Sequence, residues 1–299
     1  MADFNLKGLG VALVTPFKRD KSIDWDALGV LIDRQICSGT DYLVVLGTTG
    51  ETPTLSAQEK EDIRVYVRNR VSGRVRLVLG LGGNDTRALT DSLQKTNMDG
   101  YGAVLSVVPY YNKPSQEGIY RHYAAVAEAS PLPVVLYNVP GRTGVNMTAE
   151  TTLRLARDFG QIIGVKEASG KFDQIEEIIR NKPDGFQVIS GDDGITYPLM
   201  TLGAVGVISV IGNAFPKTFG QMVRLCLEDR FMTAAKIHYK FTELFNLMFV
   251  DGNPAGVKCA LNALGLIENE LRLPLVPTRL STNERIHHIL EGLSELSES

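Results

Sequence analysis

The chain has 299 residues, 44% apolar and 22% charged, a globular composition long enough to bury a large core. A net charge of −3 argues against a nucleic-acid surface, and no apolar run reaches the ~18 residues that a membrane helix needs. The start, MADFNLKGLG, lacks a secretory pattern, and Cys37, Cys226 and Cys259, far apart and without a CxxC, read as free thiols of a reducing cytosol.

Eight short, mostly continuous apolar runs read as strands buried on both faces: Gly10–Thr15, Tyr42–Leu46, Arg76–Gly80, Ala103–Val107, Val134–Tyr137, Ile162–Lys166, Phe186–Ser190 and Val205–Ser209. Helical patterns lie between them. Asp24 is a cap for a helix carrying Leu28, Leu31, Ile32, Gln35 and Ile36. Ser56 and Glu59 form a capping box, Thr148 opens a helix running to Arg157, and Ser169 or Gly170 leads into Phe172–Ile179. Strands alternating with helices of this length predict a parallel sheet, and eight units predict a (β/α)8 TIM barrel. An open doubly wound sheet is the runner-up, but GLGGND puts Asp85 where a dinucleotide-binding loop needs its third glycine. After Arg230 the strand pattern stops, and Phe231–Phe249, Val257–Leu264 and Asn283–Leu293 read as helices. The expected division is a catalytic barrel over residues 1–230 and a C-terminal helical domain over 231–299.

Barrel enzymes place their chemistry at the C-terminal ends of the strands. In this chain those ends carry Thr15, Thr48, Thr49, Glu51, Tyr110, Tyr111, Tyr137, Arg142, Lys166, Glu167, Asp192 and Asp193. Lys166 closes a buried strand, where desolvation disfavours the ammonium and an amine can attack a carbonyl to form a Schiff base. The competing reading is a salt bridge to Glu167. Tyr110, Tyr111 and Tyr137 are each acceptable as core aromatics, but beside such a lysine their hydroxyls can pass protons. Arg142, in a Gly/Thr loop, is either a surface cation or a fork for a carboxylate. Asp192 and Asp193 raise the question of a metal, but His122, His238, His287 and His288 all lie in helical segments and support none.

Seven segments in order, ALVTPF, GTTGE, PYYNKPSQEG, YNVPGRTG, GVKEASG, SGDD and LRLPLVP, together resemble the dihydrodipicolinate synthase / N-acetylneuraminate lyase superfamily of class I aldolases, over essentially the whole chain. The branch that it resembles condenses pyruvate with L-aspartate 4-semialdehyde on the route to diaminopimelate and lysine. The resemblance implies that Lys166 forms the Schiff base with pyruvate and that Tyr137, Thr48 and Tyr111 relay protons, with Tyr111 reaching into a neighbouring protomer. It implies that Thr49 holds the pyruvate carboxylate, Arg142 binds the semialdehyde carboxylate, and Gly191 and Ile208 line the pocket. It also implies a cytoplasmic homotetramer built from tight dimers, with no metal and no organic cofactor. Arg142 favours this branch over the lyases, and a pyruvate-dependent aldolase acting on N-acetylneuraminate or a 2-keto-3-deoxy sugar acid is the alternative. A keto-acid sensor is a third reading, opposed by the full lysine, threonine and two-tyrosine set.

Two departures from the family pattern stand out. The appendage reads NPAGVKCAL (Asn253–Leu261), without a second proline, a change expected to leave the chemistry alone. Ala57, Lys60 and Ala88 stand where lysine-inhibited relatives tend to carry histidine and glutamate, so lysine inhibition is expected to be weak or absent. Glu51 has no assigned role beyond a structural hydrogen bond in its loop.

Overall fold

The computed structural model describes residues 4–294. Eight parallel strands close into one barrel in sequence order: β1 Gly8–Ala12, β2 Tyr42–Val45, β3 Arg76–Gly80, β4 Ala103–Val107, β5 Val134–Asn138, β6 Ile162–Glu167, β7 Gln187–Ser190 and β8 Gly206–Ser209. Around it run α1 Trp25–Cys37, α2 Ala57–Val71, α3 Thr86–Lys95, α4 Gln116–Ala129, α5 Pro140–Thr143, α6 Ala149–Asp158, α7 Phe172–Asn181, α8 Asp193–Thr201 and α9 Pro216–Leu227. The helices α10 Phe231–Leu247, α11 Ala255–Ala263 and α12 Leu280–Ser294 follow. The fold is the expected TIM barrel with C-terminal helices.

Local chemistry sets many boundaries. Asp24 accepts from the Ala27 amide, Ser56 and Glu59 complete both halves of their capping box, and Thr148 accepts from the Thr151 amide. The strands are buried because their outer faces meet the helices and their inner faces fill the barrel. Phe4, Leu6, Ala12, Val44, Val135, Tyr137, Ile189 and Ile208 belong to one interior cluster. The larger cluster lies mainly between strands and helices.

Most boundaries fall within one or two residues of the sequence reading, and three departures stand out. β1 begins at Gly8 and ends at Ala12, not Thr15, because Val14 gives its amide to the Asn213 side chain instead of continuing the ladder. α7 is entered from Lys171, whose amide donates to the Ser169 hydroxyl just ahead of the helix while that hydroxyl donates to the Glu167 carboxylate. α12 starts at Leu280, three residues before Asn283, where the Asp251 carboxylate accepts from the backbone and guanidinium of Arg279 just ahead of it. α5 lies in the stretch after β5 read as a loop; its Pro140 occupies the first helical turn, where a missing N–H is harmless.

Candidate active site

The GTTGE segment leaves β2 through Leu46 at a left-handed φ of 59° and forms a short 3-10 turn over Thr48–Gly50. Its backbone is pinned from both sides. The Thr15 hydroxyl donates to the Gly50 carbonyl at 2.7 Å, and the Thr52 hydroxyl donates to the Gly47 carbonyl at 2.9 Å. The turn presents Thr48 to a cavity of about 440 Å³ whose wall also includes Tyr137, Tyr110 and Arg142.

Tyr137 on β5 and Lys166 on β6 are register partners, so their side chains share the barrel interior. The Lys166 ammonium lies 4.2 Å from the Tyr137 ring centroid, and the residue is buried. Glu167, the next residue, therefore points to the opposite face. Its carboxylate accepts from Asn138, Ser169 and Gln174, and burial holds its carboxyl above the usual range against the pull of those donors. The Lys166–Glu167 salt bridge is thus excluded by strand geometry, and the lysine has no ion-pair partner among the described residues.

Gly191 follows β7 with no room for a side chain. A Cβ there would stand 2.9 Å from Lys166 Cε and 2.8 Å from Ala168 Cβ. Ile208 on β8 packs in the interior cluster with Tyr137 and Ile189. Arg142, on α5, is exposed at the cavity wall and forms no salt bridge among the described residues. Two further cations, Lys60 and Arg64 of α2, line the same cavity. Arg64 is paired with Glu61, and burial lowers its pKa.

Tyr111 is not among the residues lining that cavity. It is 87% exposed at a φ of 73°, its amide bonded to the Thr143 carbonyl on α5. Asn84 donates to the Tyr110 carbonyl and Asn112 donates to the Asn84 carbonyl, which ties the rim loops after β3 and β4 together. Asp192 caps α8 through the Gly194 amide, and Asp193 accepts from the Val210 and Ile211 amides after β8. Both acids are spent on the backbone, and burial pushes the Asp193 carboxyl up to about 6.

The largest departure concerns Glu51 and the C-terminal helices. Glu51 Oε1 lies 2.5 Å from Lys258 Nζ on α11, both side chains fully buried, and Glu51 Oε2 accepts from the Arg272 amide at 3.0 Å. Burial lowers the Lys258 pKa, while the Glu51 carboxylate pulls the other way. Arg272 in turn binds the Glu59 carboxylate, whose carboxyl is thereby held at about 2. Two residues before Glu51, the Thr49 hydroxyl accepts from Asn253 Nδ2 at 3.1 Å. Asn253, Lys258 and Arg272 were not recognised as rim residues from sequence. The available signal was a lysine within the apolar run AGVKCALNA.

A closed parallel barrel with a buried interior lysine, facing tyrosine and rim threonines is the architecture of a class I, Schiff-base aldolase. The chain belongs to the Dihydrodipicolinate synthetase family, whose match spans residues 5–293. It is 66% identical to a 4-hydroxy-tetrahydrodipicolinate synthase of Parabacteroides distasonis over 98% of this chain and 99% of that one. A protein of the same name from Phocaeicola vulgatus is 64% identical over 98% and 99% of the two chains. The crystal structure of dihydrodipicolinate synthase from Aquifex aeolicus superposes with a TM-score of 0.93 at 39% identity, covering 97% of this chain and 98% of that one.

Proposed function

We propose that this chain is a lyase that condenses pyruvate with L-aspartate 4-semialdehyde, the reaction of a 4-hydroxy-tetrahydrodipicolinate synthase in diaminopimelate and lysine biosynthesis. The observation that carries this reading is Lys166, buried without an acid partner against Tyr137 at the wall of a polar-rimmed barrel. Its amine attacks the pyruvate ketone, water leaves, and loss of a methyl proton gives an enamine. The enamine carbon attacks the aldehyde; the amine of the second substrate then closes the ring and displaces Lys166. Thr48 and Tyr137, which share the cavity, carry protons in these steps. Thr49 holds the pyruvate carboxylate and Arg142 the semialdehyde carboxylate, so that two small molecules meet in a fixed orientation. Gly191 leaves the lysine its space, and Ile208 closes the interior wall.

The exposure of Tyr111 supports the third part of the relay acting across a subunit boundary in a homotetramer of tight dimers. The reaction requires neither metal nor organic cofactor. No helix among the described residues is long and apolar enough to cross a membrane, and a cytoplasmic enzyme fits this chemistry. We place the functional division at residue 230, barrel before and helical domain after.

Borohydride reduction with pyruvate, followed by mass spectrometry, tests the mechanism: an adduct of pyruvate mass on Lys166 is expected, and its absence overturns the Schiff-base reading. A coupled assay with aspartate semialdehyde, N-acetylneuraminate and a 2-keto-3-deoxy sugar acid then tests the substrate. Turnover confined to either sugar acid refutes the synthase assignment.

A further inference from the structure

Thr49 and Asn253 are 204 residues apart in sequence and meet in the interior, both almost wholly buried. A hydroxyl has one proton and two lone pairs. Here the Asn253 amide nitrogen donates into one lone pair of Thr49 Oγ1 at 3.1 Å. Among the described residues, no protein acceptor takes the Thr49 proton, and Asn253 Oδ1 has no protein partner either. The only polar contact of this buried amide among them is therefore Thr49. Holding a half-satisfied amide in the interior is unfavourable, and buried polar groups in that condition call for a functional reason.

The surroundings keep the contact in place. Glu51, two residues after Thr49, is paired with Lys258, five residues after Asn253. One ion pair thus clamps the rim turn and the start of α11 together beside the Thr49–Asn253 bond. With the Asn253 amide donating into its oxygen, the Thr49 hydroxyl is turned so that its own proton is left free for a further ligand. That is the polarity a carboxylate needs.

We infer that Asn253 is a positioning residue that fixes the Thr49 hydroxyl as a hydrogen-bond donor to the carboxylate of the keto-acid substrate. The inference rests on the reading of Thr49 as a carboxylate ligand. It makes the C-terminal segment part of substrate binding, although Asn253 itself touches only Thr49.

Polarity reversal tests it. Asn253→Asp keeps the shape but offers oxygen where the amide nitrogen stood, and so competes with the substrate for the Thr49 proton. The expected result is a pyruvate KM raised ~10-fold or more with kcat within ~3-fold of wild type, the pattern of lost ground-state binding. The KM should fall back towards wild type as pH is lowered, because the protonated acid regains a donor. Asn253→Ala should raise KM less, since it frees the hydroxyl without capturing it. On a Thr49→Val background neither substitution should raise KM further. A wild-type KM in Asn253→Asp that does not rise even when the assay pH is raised to about 9, where the carboxyl ionises, overturns the inference, because the Thr49 hydroxyl would then be donating to Asn253. So does an Asn253→Ala penalty equally large with and without Thr49. If circular dichroism shows that Asn253→Asp does not fold, the Ala cycle alone decides. Lack of a borohydride-trapped pyruvate adduct in the wild type refutes the Schiff-base reading instead; with the adduct present and the variants inert, only the role of Asn253 falls.

Discussion

Lys258→Met removes the cation from a fully buried ion pair and leaves Glu51 with the Arg272 amide as its remaining donor. With its own ion-pair partner gone and the nearby Arg272 guanidinium already engaged by Glu59, the buried carboxylate is neutralised, and the variant folds by taking up a proton. For a carboxyl of ordinary value, about 4.3, neutralisation costs about 3.7 kcal/mol at pH 7 and about 1 kcal/mol at pH 5. The pH 7 figure falls within the roughly 3–5 kcal/mol found when one partner of a buried pair is removed. The sign follows from proton counting. Above about pH 4.3 the folded variant holds a proton that the unfolded chain has released, so its stability falls as pH rises. Urea unfolding of wild type and variant at pH 5 and pH 7 measures the difference, and the deficit should grow by about 2.7 kcal/mol between them. Glu51→Gln combined with Lys258→Met should return to within about 1 kcal/mol of wild type at both values, because no charge is left to compensate. A deficit that is the same at both pH values, or below about 1 kcal/mol at pH 7, refutes the reasoning.

Gly191→Ala places a methyl against Lys166 Cε and Ala168 Cβ, at 2.9 and 2.8 Å, and should slow pyruvate adduct formation ~100-fold by shifting the amine; an unchanged adduct rate would show that the lysine has room to spare. Arg142→Ala should raise the semialdehyde KM far more than it impairs adduct formation with pyruvate, since Arg142 stands at the cavity wall while Lys166 lies on the interior of β6; equal losses in the two assays would contradict its assignment. Free lysine should inhibit weakly or not at all, because Lys60 gives its stretch of the cavity wall a positive charge that repels a cationic ligand, whereas Arg64 is paired with Glu61; strong inhibition at sub-millimolar lysine in the coupled assay would overturn this.

What the sequence revealed about the fold follows the range of the interactions involved. β3 and β4 match their expected limits, and the caps of α1, α2 and α6 were legible because a helix start is written within four residues. The end of β1 was not, since the residue that captures the Val14 amide lies 199 positions away. The convergence of Thr48, Tyr137 and Arg142 on one cavity was legible through a rule of barrel architecture and needed no contact information. The exclusion of the Lys166–Glu167 salt bridge was also available, because neighbouring strand residues face opposite ways. Glu51, Asn253 and Lys258 are different. Glu51 and Asn253 looked like ordinary polar residues of Gly/Pro-rich loops and Lys258 like a lone cation in an apolar run, and only the folded chain identifies their partners.

That long reach bears on how the molecule is made. The rim turn after β2 is synthesised early, but its contacts arrive from residues 204 and 221 positions downstream. Until the last quarter of the chain has emerged, Glu51 faces no lysine and Thr49 no amide. Apart from the closing β1–β8 pair, the barrel strands join sequence neighbours, while the rim turn gains its last contacts only from the C-terminal helices. Chains that terminate after α9 would therefore hold most of the barrel and an unfinished rim, with the Glu51 carboxylate uncompensated.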